Sequence, residues 1–277
     1  MDSMTLNNRN ILVVGGATGI GRATAMLCAK RGAKVIIADS NVFDGNATAR
    51  DSDGLFIELD VTNEANVKEM CENIGLSHIR LDGLVQAAGI LKGAYESIED
   101  FSVNLFRQVL EVNTVGSFLC AKYATPLLKR GYMPVIVLVS SAAAYGVSSS
   151  YAYGASKGGV SALGITMEGK LAPEGIRVNV VCPGGIKTSM KLSVIAEDAR
   201  RKGQDPEAAI NIASLSLGDP IGVAKLLAFL LSDEADYVRG SIATRYFIVS
   251  VIINRYATCI YSTYVWSWCG TTRRHWL

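Results

Sequence analysis

The sequence implies a doubly wound α/β fold, one parallel sheet with helices on both faces in a single domain, and three observations carry that reading. Six short runs rich in Val, Ile and Leu alternate with longer amphipathic stretches, the pattern of βαβ units. The runs are apolar throughout, as strands covered on both faces are, and do not alternate apolar with polar. With 277 residues, 49% hydrophobic and 19% charged, the chain can bury one sizeable core, and disorder is excluded for its bulk.

The first strand is expected at Asn10–Gly15 and the first helix at Gly19–Arg31, where apolar residues recur at helical spacing. Gly15-Gly16-Ala17-Thr18-Gly19-Ile20-Gly21 joins them. Glycines at 15, 19 and 21 allow a tight turn, close approach to a pyrophosphate and tight helix–strand packing, and the helix N-terminus offers free N–H donors to phosphate. Glycines gather at ordinary turns too; the strand before and the helix after make this one a candidate dinucleotide site of the Rossmann-like kind. The second strand, Lys34–Asp39, ends on a carboxylate eighteen residues beyond Gly21. Asp39 there can accept both adenosine ribose hydroxyls and would repel a 2′-phosphate, and no Lys or Arg lies among residues 39 to 49, so NAD is favoured over NADP. A solvated loop carboxylate is the alternative.

A third strand at Leu55–Leu59, a helix at Asn63–Ile74, a fourth strand at Leu81–Ala87 and one long helix at Asn104–Lys129 follow by the same criteria. The fifth strand, Pro134–Ser140, puts Ser140 and Ser141 at its C-terminal end, the edge where open α/β sheets bind ligands. Tyr153 and Lys157 open the next helix, Tyr153–Leu171, four residues apart and on one face. A phenol with a pKa of about 10 is a poor acid–base group at neutral pH, and an ammonium one helical turn away favours its ionised form. A sixth strand at Arg177–Cys182 and a helix at Ile221–Leu231 complete the pattern.

Lys and Arg number 27 against 25 Asp and Glu, with no basic run longer than the three residues Arg200-Arg201-Lys202, so nucleic acid has no electrostatic footprint. The six cysteines are scattered, none in a C-x-x-C pair, and read as small buried hydrophobes. Neither His78 nor His275 has a carboxylate or cysteine cluster near it in sequence, so no metal is expected. Met1 to Arg9 is polar, without the apolar run of a signal peptide, which points to a cytoplasmic protein. Composition changes after Thr244: the last 33 residues hold all three tryptophans, four of the eleven tyrosines and four arginines, with no Asp, Glu or Lys. Tyr246 to Trp268 is long enough for a membrane span, but Asn254 and Arg255 sit at its middle, so no span is expected.

Gly15-x-x-x-Gly19-Ile20-Gly21, Asp60-Val61, the Ala88-Gly89 turn, Asn113, Ser140-Ser141, Tyr153-x-x-x-Lys157 and Pro183-Gly184-x-Ile186-x-Thr188 stand in an order and spacing that resembles the short-chain dehydrogenases/reductases over residues 7–244. The resemblance implies Tyr153 as general acid–base, Lys157 lowering its pKa and holding the nicotinamide ribose, and Ser141 hydrogen-bonding the substrate oxygen. It also implies Asn113 holding a water that extends the proton relay, Asp60 and Val61 as adenine contacts, Ile20 and Gly89 lining the cofactor cleft, and Ile186 with Thr188 clamping the carboxamide. Ser140 competes with Ser141: the usual spacing to the tyrosine fits Ser140, whereas the second serine of such a pair is the one that usually acts.

Three departures accompany the match. Val14 replaces a common threonine, and Gln86-Ala87 replaces the usual Asn-Asn, which removes side-chain hydrogen bonds from the central strands. From Arg245 the sequence no longer follows the family's last strand, so residues 245–277 form an atypical tail beside a 1–244 catalytic domain, with Tyr246–Ile253 as a substitute strand or the tail as an aggregation hazard. The resulting reading is an oxidoreductase passing hydride between NAD and a secondary alcohol or ketone, a homo-oligomer if the tail permits. An NADPH-dependent carbonyl reductase and a disabled dinucleotide-binding module are the alternatives. Ala142–Tyr151 and Thr188–Asp205 should wall the pocket, and Tyr145, Tyr151, Met190, Leu192, Val194 and Ile195 suggest an apolar, polycyclic or terpenoid substrate.

Overall fold

Seven parallel strands form one sheet in the computed structural model, which describes residues 5–77 and 79–244. The strands are β1 (Asn10–Val14), β2 (Lys34–Asp39), β3 (Leu55–Glu58), β4 (Gly83–Gln86), β5 (Val135–Val139), β6 (Arg177–Cys182) and β7 (Ile242–Thr244). Their order is β3-β2-β1-β4-β5-β6-β7, every pair parallel. The chain winds outward in opposite directions from the β1–β4 seam, and the crevice beyond the carboxyl ends of those two strands is the topological switch point.

The helices are α1 (Gly19–Lys30), α2 (Val42–Asp51), α3 (Glu64–Leu76), α4 (Val103–Leu110), α5 (Gly116–Leu128), α6 (Tyr151–Leu171), α7 (Ser189–Arg201), α8 (Pro206–Ser214) and α9 (Pro220–Leu230). Successive side chains of a strand point to opposite faces, so the apolar runs feed two cores. Ile11, Val13, Val35 and Ile37 pack with Cys28 of α1, Ala49 of α2 and Leu227 of α9. Leu12, Val14, Ile36 and Leu84 pack on the other face with Met70 of α3, Leu127 of α5 and Val160 of α6.

β2 and β6 have the expected bounds, and the other expected strands are shorter by one to three residues. Three differences are larger. α2 is an addition, a helix with little apolar content that starts because the Asn41 side chain accepts from the Asp44 N–H at 3.1 Å. The expected pocket-wall segment after Thr188 is helical: Thr188 caps α7, and Asp205 caps α8 with Pro206 in its first turn. Val194 is buried within this arm, so it is packing and not pocket wall. The single helix expected at Asn104–Lys129 is α4 and α5 joined by a π-helical turn, Glu111–Val115, in which Asn113 is wholly buried.

Cys28, Cys71, Cys120 and Cys182 are free and buried, as small hydrophobes should be. Among the described residues no helix is long and apolar enough to cross a membrane, and no group of three or more His, Cys, Asp or Glu is placed to hold a metal. His78, the substitute strand at Tyr246–Ile253 and the rest of the tail lie outside the described residues.

Candidate active site

The glycine-rich turn leaves β1 at the switch point, and its glycines are required by contact. Gly15 has φ +79°, and a Cβ there would lie 2.3 Å from the Ala88 nitrogen; a Cβ on Gly21 would lie 1.9 Å from the Gly15 carbonyl oxygen. Gly19, at φ +55°, sits under the Thr188 methyl, 3.1 Å from where its Cβ would be. Ile20 anchors the turn in the core on the α1 face.

Among the described residues every α-helix that starts from a loop has a side-chain cap except α1, where Thr18 makes no such bond. Its first-turn amides, without an internal acceptor and with no acidic residue in the turn itself, border a cleft of about 520 Å³ whose lining includes Thr18, Gly19 and Thr188, the cations Arg22 and Lys187, and the carboxylates Asp44 and Asp219. An uncapped helix N-terminus behind a cradle that any side chain would fill fits the pyrophosphate of a dinucleotide.

Asp39, half-buried at the end of β2, holds this turn in place: its Oδ2 accepts from the Ala17 N–H at 3.0 Å and its Oδ1 from the Asn41 N–H at 2.9 Å. Both carboxylate oxygens keep acceptor capacity for ribose hydroxyls. Asp60 is exposed and directs Oδ1 at the Thr62 N–H and hydroxyl, bracing the turn into α3, while Val61 is buried against Gly116. Ile186 is buried in a bridge to Gly218, which fixes the segment leading to Thr188.

The second cluster lies beyond the ends of β4 and β5. Ser150 caps α6 by accepting from the Tyr153 N–H at 3.3 Å, which puts Tyr153 in the first turn of the helix and Lys157 one turn further on. The Lys157 Nζ is buried, donates to the Val139 carbonyl at 2.9 Å and lies 5.8 Å from the centre of the Tyr153 ring. Gly89 makes room for this: a Cβ there would stand 3.1 Å from the Asn113 Oδ1 and 3.2 Å from the Lys157 Nζ. Asn113 accepts from the Ile90 N–H at 2.7 Å and donates to the Ile90 carbonyl and to the Ser156 hydroxyl, each at 2.9 Å. Both its amide protons are thus committed to protein partners, which leaves one acceptor lone pair for any water.

The two serines separate cleanly. Ser140 is buried, donates to the Lys157 carbonyl at 2.7 Å and accepts from Ser161 at 2.9 Å, so it braces α6 against β5. Ser141 is the one that neighbours the Tyr153 hydroxyl closely enough to pull its pKa down, and its own Oγ accepts from the Ala143 N–H at 3.2 Å. The Tyr153 ring is half-buried with its hydroxyl in packed surroundings, and burial pushes the phenol above its ordinary value, with Ser141 pulling the other way. Burial pushes the Lys157 ammonium down, to about 8. The expected depression of the phenol by the lysine is therefore not seen, because the ammonium reaches back to Val139 and both groups lose water.

Gly15, Gly19, Gly21 and Thr188 thus meet around one cradle, and Gly89, Asn113, Ser141, Tyr153 and Lys157 around another, both at the carboxyl edge of the sheet. Sequence reasoning missed Ser150 and Ser156. Ser150 carries a readable signal, a serine three residues before Tyr153 at the start of an apolar helix.

A family model described as enoyl-(acyl carrier protein) reductase matches residues 15–244. The chain is 35% identical over 263 residues to tropinone reductase-like 1 of Erythroxylum coca, covering 93% of this chain and 96% of that protein. It is 34% identical over 244 residues to secoisolariciresinol dehydrogenase of Forsythia intermedia, covering 85% and 86%. The solved structure of levodione reductase superposes with a TM-score of 0.77 at 28% identity, over 86% of this chain and 96% of that one.

Proposed function

The chain belongs to the short-chain dehydrogenase/reductase family, NAD(P)-dependent oxidoreductases, and on that premise we propose that it uses NAD to interconvert an apolar cyclic secondary alcohol and its ketone. The convergence of Ser141 and Lys157 on Tyr153 at the end of β5 is the observation that carries the reading. The cofactor supplies or accepts the hydride when bound. Gly15, Gly19, Gly21 and the first turn of α1 hold its pyrophosphate and Asp39 its adenosine ribose. Asp60, Val61, Gly89, Ile20, Ile186 and Thr188 line the rest of its path.

In the reducing direction the Tyr153 hydroxyl gives its proton to the carbonyl oxygen, and Ser141 donates a hydrogen bond to the oxygen as charge develops there. Lys157 then restores the proton from solvent, and Asn113 holds the backbone at Ile90 and the side chain at Ser156 so that the cleft keeps its shape. NAD is favoured over NADP because Asp39 ends β2 with no cation among residues 39 to 49. The apolar substrate is supported by Tyr145 and Tyr151, each 48% exposed beside the site, and by the names of the relatives. Residues 1–244 serve as the catalytic domain, and large apolar side chains left exposed on α4, α5 and α6 (Val103, Phe118 and Ile165) support a homo-oligomer.

Fluorescence titration with NADH and NADPH, followed by turnover of cyclohexanone and tropinone, tests the proposal. NADH should bind at least about tenfold more tightly than NADPH, and Tyr153→Phe should bind NADH as the wild type does while losing about 10²–10⁴ in kcat. Preference for NADPH, or turnover surviving in Tyr153→Phe, overturns it.

A further inference from the structure

Arg201 ends α7, and its guanidinium grips a distant loop: Nη1 donates to the Ala94 carbonyl at 3.0 Å and Nη2 to the Tyr95 carbonyl at 3.1 Å. That loop joins β4 to α4 and is fastened on its other side to the helix carrying Tyr153. Ser150, the cap of α6, donates its hydroxyl to the Lys92 carbonyl at 2.7 Å, and the Tyr95 N–H donates to the Ser149 carbonyl at 2.7 Å. Tyr95 has φ +64°, a left-handed conformation that is strained for a bulky residue and persists where the surroundings dictate it. The surroundings here are the Arg201 and Ser149 bonds and the Lys202 Nζ, 5.8 Å from the centre of the Tyr95 ring and paired with Asp198 at 2.6 Å.

The opposite end of α7 begins at Thr188, whose methyl packs on Gly19 of the glycine-rich turn. Thirteen helical residues make a rod about 20 Å long. It therefore runs across the carboxyl edge of the sheet from the cofactor cradle to the loop beside Tyr153, with α8 packed on it. Both ends are tied, one by apolar contact and the other by Arg201. Two successive carbonyls taken by one planar guanidinium suit arginine; a lysine would offer a single point charge.

We propose that Arg201 is a positioning residue for the reaction: through the Ala94 and Tyr95 carbonyls it sets the distance between α7 and the start of α6, and so seats the substrate against Tyr153. The latch rests on geometry alone; its effect on turnover rests on the oxidoreductase reading above.

Arg201→Met and Arg201→Lys of the full chain are compared with the wild type by hydrogen–deuterium exchange with NADH present, and by steady-state kinetics with cyclohexanone and tropinone at saturating NADH. Arg201→Met should speed exchange in residues 90–96 and 148–153 and raise KM for the ketone about tenfold, the loss expected of a charge-assisted bond. Its kcat should change less than about twofold, since no reacting group is touched, and KM for NADH should hold. Arg201→Lys should recover part of the loss. Exchange unchanged in both segments overturns the latch; faster exchange with an unaltered ketone KM, or with a uniform fall in NADH binding, kcat and melting temperature, overturns the positioning role. If the wild type turns over neither ketone, the exchange result alone decides the latch, and that failure counts against the proposed substrate.

Discussion

Replacing Lys157 by methionine should abolish turnover and yet make the cofactor-free protein more stable at neutral pH. The ammonium is buried, and burial takes its pKa from 10.5 to about 8, which at about 1.4 kcal/mol per pH unit is a penalty of roughly 3 kcal/mol for holding the charged form inside. Methionine keeps the length of the stem and removes the charge, at the cost of the Val139 carbonyl's donor, worth about 1–2 kcal/mol. The balance is a gain of about 1–2 kcal/mol, or roughly 2–8 °C in melting temperature for a domain of this size. The effect has a signed pH dependence. Below about pH 8 the lysine is protonated in both the folded and unfolded states, so the wild type bears the whole penalty. Between about 8 and 10.5 the unfolded chain keeps a proton that the folded chain has lost, so wild-type stability rises with pH and the advantage of methionine shrinks. Thermal melts of both proteins at intervals from pH 6.5 to 9.5 measure this. A variant that melts below the wild type at pH 7, or a difference that stays constant across the range, refutes the reasoning.

Asp39 should resist conversion to NADP use, because it also holds Ala17 of the glycine-rich turn. Asp39→Ala should weaken NADH and NADPH together and Asp39→Asn, which keeps an acceptor, should weaken NADH less; paired fluorescence titrations check this, and a tenfold gain in NADPH affinity for Asp39→Ala counts against it. Gln86 is buried at the end of β4 with neither amide atom hydrogen-bonded among the described residues. Gln86→Leu should therefore raise stability by about 1–3 kcal/mol in urea unfolding, and a loss would mean that the amide has a partner.

The sheet was legible because buried parallel strands are short apolar runs, and Lys34–Asp39 and Arg177–Cys182 sit between clear polar boundaries. α2 was not legible because its side chains lack an apolar stripe and Gly45, packed against Phe56, interrupts it. α7 and α8 were legible in principle, since Thr188 and the Asp205-Pro206 pair are helix-start signals. The π-helical turn at Asn113 has no local signature; it is fixed by Ile90 and Ser156, which are far away in sequence. The same is true of Ser140 and Ser141, adjacent in sequence and separated only by what the folded chain puts opposite each. Arg201 looks like one more surface cation until its carbonyl partners are known.

Parallel pairing throughout the sheet means that no two described strands are joined by a hairpin. Each pairing must close a loop through a crossover before it contributes anything, so assembly is slow and leaves apolar strand edges open while it proceeds. β1 bears most of this burden: β2 and β4 both need it as a template, and it leaves the ribosome before either. Its side chains, Ile11 to Val14, wholly enclosed in the finished protein, stay open to aggregation during synthesis until β2 and β4 have paired with it.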